Sequence, residues 1–223
     1  MIKAVIFDVD DTLIVTGRRT VQGLVEISKK IGLRVPTERE VARLLGLPWE
    51  TMVKTLWPNV NLEDFIQSYE KYKTIHYPLE CVVGAKEALD KVKSEGYLVG
   101  IITSRNNDTL GKVMEKCGID LEMFDYIEAN DQNRYSKPDP RVFDNLKKKL
   151  TEKDIGLEEI VYVGDAIYDY LSASGAGLHF IAFLNGAYSK EEFMEEGLDE
   201  KLTVEKLSDL PQILDKIGVE ETA

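Results

Sequence analysis

Ala4-Val5-Ile6-Phe7-Asp8-Val9-Asp10-Asp11-Thr12 is the stretch on which the reading of this chain turns. Its first half is a continuous apolar run, the pattern of a strand covered on both faces in a parallel sheet. The second half brings three carboxylates and a hydroxyl together. Like charges a few ångströms apart raise each other's pKa, so carboxylates crowd at a cost. Such a cluster at the carboxyl end of a strand points to a metal, a proton-transfer role or both. Taken alone, an acidic surface turn explains it equally well.

Similar apolar runs recur at residues 98–102, 160–163 and 180–184, with a weaker one at 126–129. Between them the apolar period turns helical. Leu110, Val113, Met114 and Cys117 form one stripe ahead of Gly118; Ala85, Ala88, Leu89 and Val92 form another ahead of Gly96. Asp139-Pro140 is a sound N-cap and first-turn pair for a helix carrying Phe143, Leu146 and Leu150. Leu207, Leu210, Leu214 and Ile217 close the chain on a last amphipathic stripe. Strand alternating with helix implies an α/β fold on a doubly wound parallel sheet. Residues 18–77 break the rhythm with helical stripes alone: Leu24, Ile27, Ile31; Val41, Leu44, Leu45; and Phe65, Tyr69, Tyr72, His76. Thr37 and Glu40 there have capping-box spacing. A small helical module inserted after the first strand is expected.

Polar candidates collect at the strand ends. Thr103 follows one run, and Gly164-Asp165 follows another, with Asp169 four residues on. Lys137, in Ser136-Lys137-Pro138, lies after the weak strand and just before a helix. In open parallel sheets the ligand crevice lies outside the carboxyl ends of the strands. Four separate segments therefore deliver carboxylates, a hydroxyl and an ammonium to one rim. A helix cap, a solvated charge or a turn accounts for each singly, but not for their convergence.

This set resembles the haloacid dehalogenase superfamily, whose pattern is an apolar strand ending DxDx[TV], a strand ending in Thr or Ser, a Lys, and a strand followed by GDxxxD. Asp8 to Thr12, Thr103, Lys137 and Gly164 to Asp169 stand in that order and span nearly the whole chain. The resemblance implies a Rossmann-like catalytic core of residues 1–15 and 81–223, with a helical cap domain of residues 16–80. It implies a magnesium-dependent phosphatase that hydrolyses a small phosphorylated metabolite through an aspartyl-phosphate on Asp8. In that scheme Mg2+ is held by Asp8, the backbone carbonyl of Asp10, and Asp165. Asp169 either reaches the metal through water or holds Lys137. Asp10 is the general acid and then the base, with a pKa raised by its carboxylate neighbours. Thr103 donates to the phosphoryl group, and Lys137 offsets charge on Asp8 and on the phosphate. Asp10 also argues for phosphate chemistry over dehalogenation, since dehalogenases of this superfamily lack Asp there. Asp11 occupies a position where many members carry Gly.

Gly46-Leu47-Pro48-Trp49 is similar to the specificity loop of phosphoglycolate-phosphatase-like members, although a Gly-Pro helix break with a packed Trp reads the same way. On the functional reading, Trp49 closes over the site while Arg43 or Lys54 meets a second anionic group of the substrate.

A formal charge of −12 weighs against nucleic acid, which needs clustered Lys and Arg. No stretch approaches the roughly 20 apolar residues that cross a bilayer, so a cytoplasmic location with no membrane partner is expected. Nothing in the sequence sets an oligomeric state. Cys81 and Cys117 make no CxxC or CxxH pattern, so neither zinc nor a redox dithiol is indicated, and Cys117 reads as a buried core thiol. The two histidines, His76 and His179, lie outside the motifs and read as structural. Dinucleotide and P-loop motifs are absent. The alternatives are a phosphomutase or a phosphonate hydrolase on the same fold, the latter with Lys29, Lys30 or Lys54 as Schiff-base lysine, a silent binding protein, or a receiver-like phospho-switch without turnover. Residues 219–223 read as a disordered tail.

Overall fold

The computed structural model describes residues 1–76 and 79–217, with side chains for all of these except 72–76. Tyr72 and His76 of the third helical stripe, as side chains, and residues 219–223 thus lie outside what is described. Strand β1 (Ala4–Phe7) is buried at every residue and lies at the heart of a six-stranded, all-parallel sheet. Its neighbours are β4 (Leu98–Ile102) and β6 (Ile160–Gly164), followed outward by β5 (Tyr126–Glu128) on one side and by β7 (His179–Phe183) and β8 (Thr203–Val204) on the other. The order β5-β4-β1-β6-β7-β8 is doubly wound, as the alternating pattern implied. Four of the five strands expected along the chain start on their sequence run, and β7 starts one residue before it. The two-residue β8 carried no period to read.

Alternation along the strands builds two cores. Val5, Phe7, Val99, Ile101, Val161, Val163, Ile181 and Phe183 face helices α5 (Ala85–Ser94), α6 (Asn107–Lys116) and α10 (Leu210–Ile217). Ala4, Ile6, Tyr162, Phe180 and Ala182 face α7 (Asp144–Thr151), α8 (Ile167–Gly175) and α9 (Lys190–Glu195). Gly118 and Gly96 end their helices in the left-handed conformation that glycine tolerates. No helix among the described residues is long and apolar enough to cross a membrane.

Between β2 (Ile14–Val15) and β3 (Glu80–Cys81), an antiparallel ribbon, the chain forms helices α1 (Gly17–Lys30), α2 (Glu38–Ala42), α3 (Trp49–Leu56) and α4 (Leu62–His76). These pack around a cluster of their own: Val21, Leu24, Ile27, Val41, Met52, Val53, Leu56, Trp57, Phe65 and Tyr69. The Thr37 capping box forms, with the Glu40 carboxylate accepting from the Thr37 N–H at 2.7 Å. Ile31 departs from its stripe: it caps the end of α1 and is exposed.

One expectation is overturned. Cys81 and Cys117, read as unpaired, form a disulfide with Cα atoms 5.6 Å apart. Cys117 caps the C-terminal end of α6, and its helical stripe turns the sulfur toward the ribbon, where Cys81 ends β3. The bond fastens the ribbon to the core.

Candidate active site

Phe7 pairs in register with Ile101 on one side and Val163 on the other, so Asp8, Thr103 and Asp165 all emerge at the same sheet edge. The Asp8 N–H donates to the Val163 carbonyl at 2.8 Å, extending the strand by one bond and fixing the carboxylate over the rim. Asp8, Asp165 and Asp169 are all buried, and each offers a carboxylate oxygen within 4.8 Å of the others. Lys137, itself buried, reaches into this trio: Nζ donates to Asp8 Oδ1 at 2.6 Å and to Asp169 Oδ1 at 2.6 Å. Asp165 instead accepts from the Thr12 hydroxyl at 3.3 Å.

Electrostatics follow from burial and crowding. Burial, against the pull of Lys137 and with repulsion from Asp169, pushes the Asp8 carboxyl up to about 7. Asp165 is pushed well above the carboxylate range by burial and then by Asp11, Asp169 and Asp8. Burial works against the charged ammonium of Lys137, yet Asp169 and Asp8 outweigh it and hold its pKa above the usual lysine value. Three crowded carboxylates, two of them sharing one ammonium, form a hard-oxygen donor set with negative charge to spare, and this fits a small divalent cation. Two glycines make the crowding possible: a Cβ on Gly164 would sit 2.6 Å from Asp169, and one on Gly186 would sit 2.0 Å from Asp165 Oδ2.

Asp10 stands apart from the trio. Arg105 takes both of its carboxylate oxygens, Nε reaching Oδ2 at 3.1 Å and Nη2 reaching Oδ1. The raised pKa expected for Asp10 is therefore not found. Burial alone would lift it, but the guanidinium charge and its hydrogen bonds prevail and hold the carboxyl below its ordinary value. Asp11 acquires a role: at φ +57° it turns back, and its Oδ1 accepts from the N–H groups of Thr16 and Gly17, both at 2.9 Å, at the start of α1. A positive φ is the reason glycine also suits this position.

Thr103 lies buried one strand over, its N–H on the Glu128 carbonyl at 3.1 Å and its Oγ1 accepting from Arg105 N at 3.2 Å. Two residues escaped the sequence reading. Tyr162, in the middle of β6, accepts from Lys137 Nζ at 2.9 Å and donates to the Ile102 carbonyl at 2.8 Å. Its one signal is a polar tip inside an otherwise apolar strand. Arg105 had a signal too, a cation two residues beyond the strand-ending Thr103.

The helical insertion touches this rim through its Arg43–Gly46 turn. Ser104 Oγ donates to the Gly46 carbonyl at 2.7 Å, and the hydroxyls of Tyr168 and Tyr188 donate to the Arg43 carbonyl at 3.1 and 2.9 Å. Arg43 itself pairs with Glu192, and Lys54 Nζ donates to the Val60 carbonyl at 2.7 Å. Both cations that the sequence offered for a second substrate anion thus have partners within the protein. Trp49 stacks obliquely on Tyr69, ring centroids 4.3 Å apart, within the insertion. His179 approaches the Glu158 carbonyl at 3.0 Å, away from the rim.

Residues 5–183 match the haloacid dehalogenase-like hydrolase family. The chain belongs to that family. Its relatives include the pyrophosphatase PpaX of Halalkalibacterium halodurans, 26% identical over 98% of each chain. Another is the glyceraldehyde 3-phosphate phosphatase of Pyrococcus furiosus, 27% identical over 96% of this chain and 92% of the relative. Among solved structures, a hydrolase from Pseudomonas syringae aligns with a TM-score of 0.81 at 25% identity, over 96% of this chain and 99% of that one. A predicted phosphoglycolate phosphatase from Haemophilus somnus shares the fold, with a TM-score of 0.80 at 19% identity over 95% and 97%. These bear out the expected family, the α/β fold and a phosphatase-class enzyme.

Proposed function

We propose that this hydrolase is a magnesium-dependent phosphatase cleaving a small phosphorylated metabolite through an aspartyl-phosphate on Asp8. The observation that carries the reading is the buried trio Asp8, Asp165 and Asp169, with Lys137 bonded to Asp8 and Asp169 at 2.6 Å. Asp8, Asp165 and the backbone carbonyl of Asp10 would hold Mg2+, with Asp169 nearby. The ion when bound supplies charge neutralisation for an anionic ester brought beside carboxylates. Asp8 then attacks phosphorus, and the P–O bond to the leaving group breaks as Asp10 delivers a proton to that oxygen. In the second half Asp10 takes a proton from water, whose oxygen attacks the acyl-phosphate and releases phosphate and free Asp8. Lys137 steadies charge on Asp8 and the transferred oxygens, Thr103 donates to one of them, and Asp169 with Tyr162 keeps Lys137 in place.

Residues 16–80 act in this reading as a cap domain over a core of 1–15 and 81–223, excluding water when seated on the rim. Cytoplasmic action remains part of the reading; a structural disulfide in that compartment is a trait of heat-adapted organisms. A Schiff-base phosphonate route has less support, because Lys29 and Lys30 are exposed at the end of α1 and Lys54 is engaged on Val60. Family membership leaves the receiver-like switch without support. The test is phosphate release from a panel of small phosphate esters and pyrophosphate, with Mg2+ or chelator, by wild type and Asp8→Asn. Metal-dependent release that the substitution abolishes is expected; release surviving in Asp8→Asn refutes the mechanism.

A further inference from the structure

Arg105 has no part in the scheme above, yet it occupies the carboxylate that the scheme needs free. Both Asp10 oxygens are engaged by its guanidinium fork. The two side chains are 17% and 29% exposed, whereas the trio is buried, and Arg105 lies close enough to feel the charge of Asp8. The backbone that carries Arg105 is pinned from two sides. Thr103 Oγ1 accepts its N–H, and the adjacent Ser104 hydroxyl is bonded to Gly46 of the helical insertion. Arg43 and Lys54, the cations first expected to read the substrate, are committed to Glu192 and Val60.

We propose that Arg105 is a specificity-determining residue, recognising a second anionic group on the leaving side of a small phosphate ester or anhydride. This rests on the phosphatase reading and adds the class of substrate. A planar guanidinium binds carboxylate or phosphate in the same two-bond geometry it now makes with Asp10. A substrate anion therefore exchanges for the Asp10 carboxylate: the guanidinium stays partnered, and Asp10 is released toward the leaving oxygen. A neutral leaving group offers nothing in exchange. It has to separate a largely buried ion pair and leave a charge without a partner, which is strongly unfavourable. Selection thus works against neutral esters as much as for anionic ones.

The experiment compares 2-phosphoglycolate and pyrophosphate, which have anionic leaving groups, with 2-hydroxyethyl phosphate, the neutral counterpart of the first. Wild type, Arg105→Ala and Arg105→Lys are assayed with Mg2+, and folding is checked by thermal melting. Wild type is expected to favour the better anionic substrate by about 100-fold or more in kcat/KM, as for a site built around a polar partner. Arg105→Ala should lose roughly that factor on the anionic substrate, mostly in KM. On 2-hydroxyethyl phosphate the same variant should rise above wild type, because no ion pair has to be separated to free Asp10. Arg105→Lys, a point charge without the fork, should fall between them. Parallel losses on both classes would show a merely structural role and overturn the assignment, as would a wild type indifferent to leaving-group charge. Hydrolysis of neither class by folded wild type would remove the phosphatase reading and this inference with it.

Discussion

Replacing Lys137 by Met tests the charge balance of the buried trio most directly. The substitution keeps a long side chain but deletes an ammonium whose side chain is 1% exposed, between Asp8 at 4% and Asp169 at 0%. Breaking a buried ion pair by removing one partner costs about 3–5 kcal/mol. Here the cost is limited, because an orphaned carboxylate can take up a proton. Burial already pushes Asp8 up to about 7 with Lys137 pulling it down, so losing Lys137 moves it higher still. A carboxyl whose folded-state pKa is raised above its ordinary 3.8 contributes stability that is complete below that value and is lost as pH rises through the folded-state pKa. Without metal, the variant should therefore trail wild type by about 3 kcal/mol near pH 8, and by distinctly less near pH 5.5. At about 2–4 °C per kcal/mol for a chain of this size, Tm should fall by roughly 6–12 °C near pH 8. Differential scanning calorimetry in chelator at the two pH values gives the comparison. An equal Tm deficit at both, or none at either, would refute the electrostatic account of the trio. With Mg2+ restored, kcat should drop about 10²- to 10³-fold, the usual cost of a lost charge-stabilising donor.

The Cys81–Cys117 bond closes a 36-residue span, for which the chain-entropy estimate at room temperature is about 4 kcal/mol. Reduction, or Cys81→Ser with Cys117→Ser, should lower Tm by roughly 8–16 °C; a change under about 2 °C would mean that the cross-link leaves the unfolded ensemble unconstrained. Gly186→Ala places a methyl where the backbone leaves 2.0 Å to Asp165 Oδ2, so the carboxylate must turn away. Calorimetric titration should show Mg2+ affinity reduced about 10-fold or more, and unchanged affinity would remove Asp165 from the metal site.

Much of this was legible in the chain because the physics repeats locally. β1 is buried on both faces, and its unbroken apolar run says so. The rim residues follow from one rule of parallel sheets applied to four segments. The failures have equally definite causes. β2, β3 and β8 have two residues each, too few for any period. The disulfide joins positions 36 apart with no framework of other cysteines to suggest it. Asp10 was read from its acidic neighbours in sequence, whereas its pKa is governed by Arg105, 95 residues away. Gly186 looked like any loop glycine, and its necessity appears only when Asp165 lies against it.

The ribbon through which the chain leaves and re-enters the sheet has a further consequence. Ile14 faces Cys81 and Val15 faces Glu80, so the two ends of the insertion emerge side by side from one seam. No strand of the six-stranded sheet has to change register to admit a longer, shorter or differently folded segment there. A segment joined at those two residue pairs has to rebuild only its own contacts with the core, chiefly the N–H groups of Thr16 and Gly17 on Asp11 and the Gly46 carbonyl on Ser104. Such a seam lets the insertion vary in length and fold while the sheet that carries the acidic rim keeps its register.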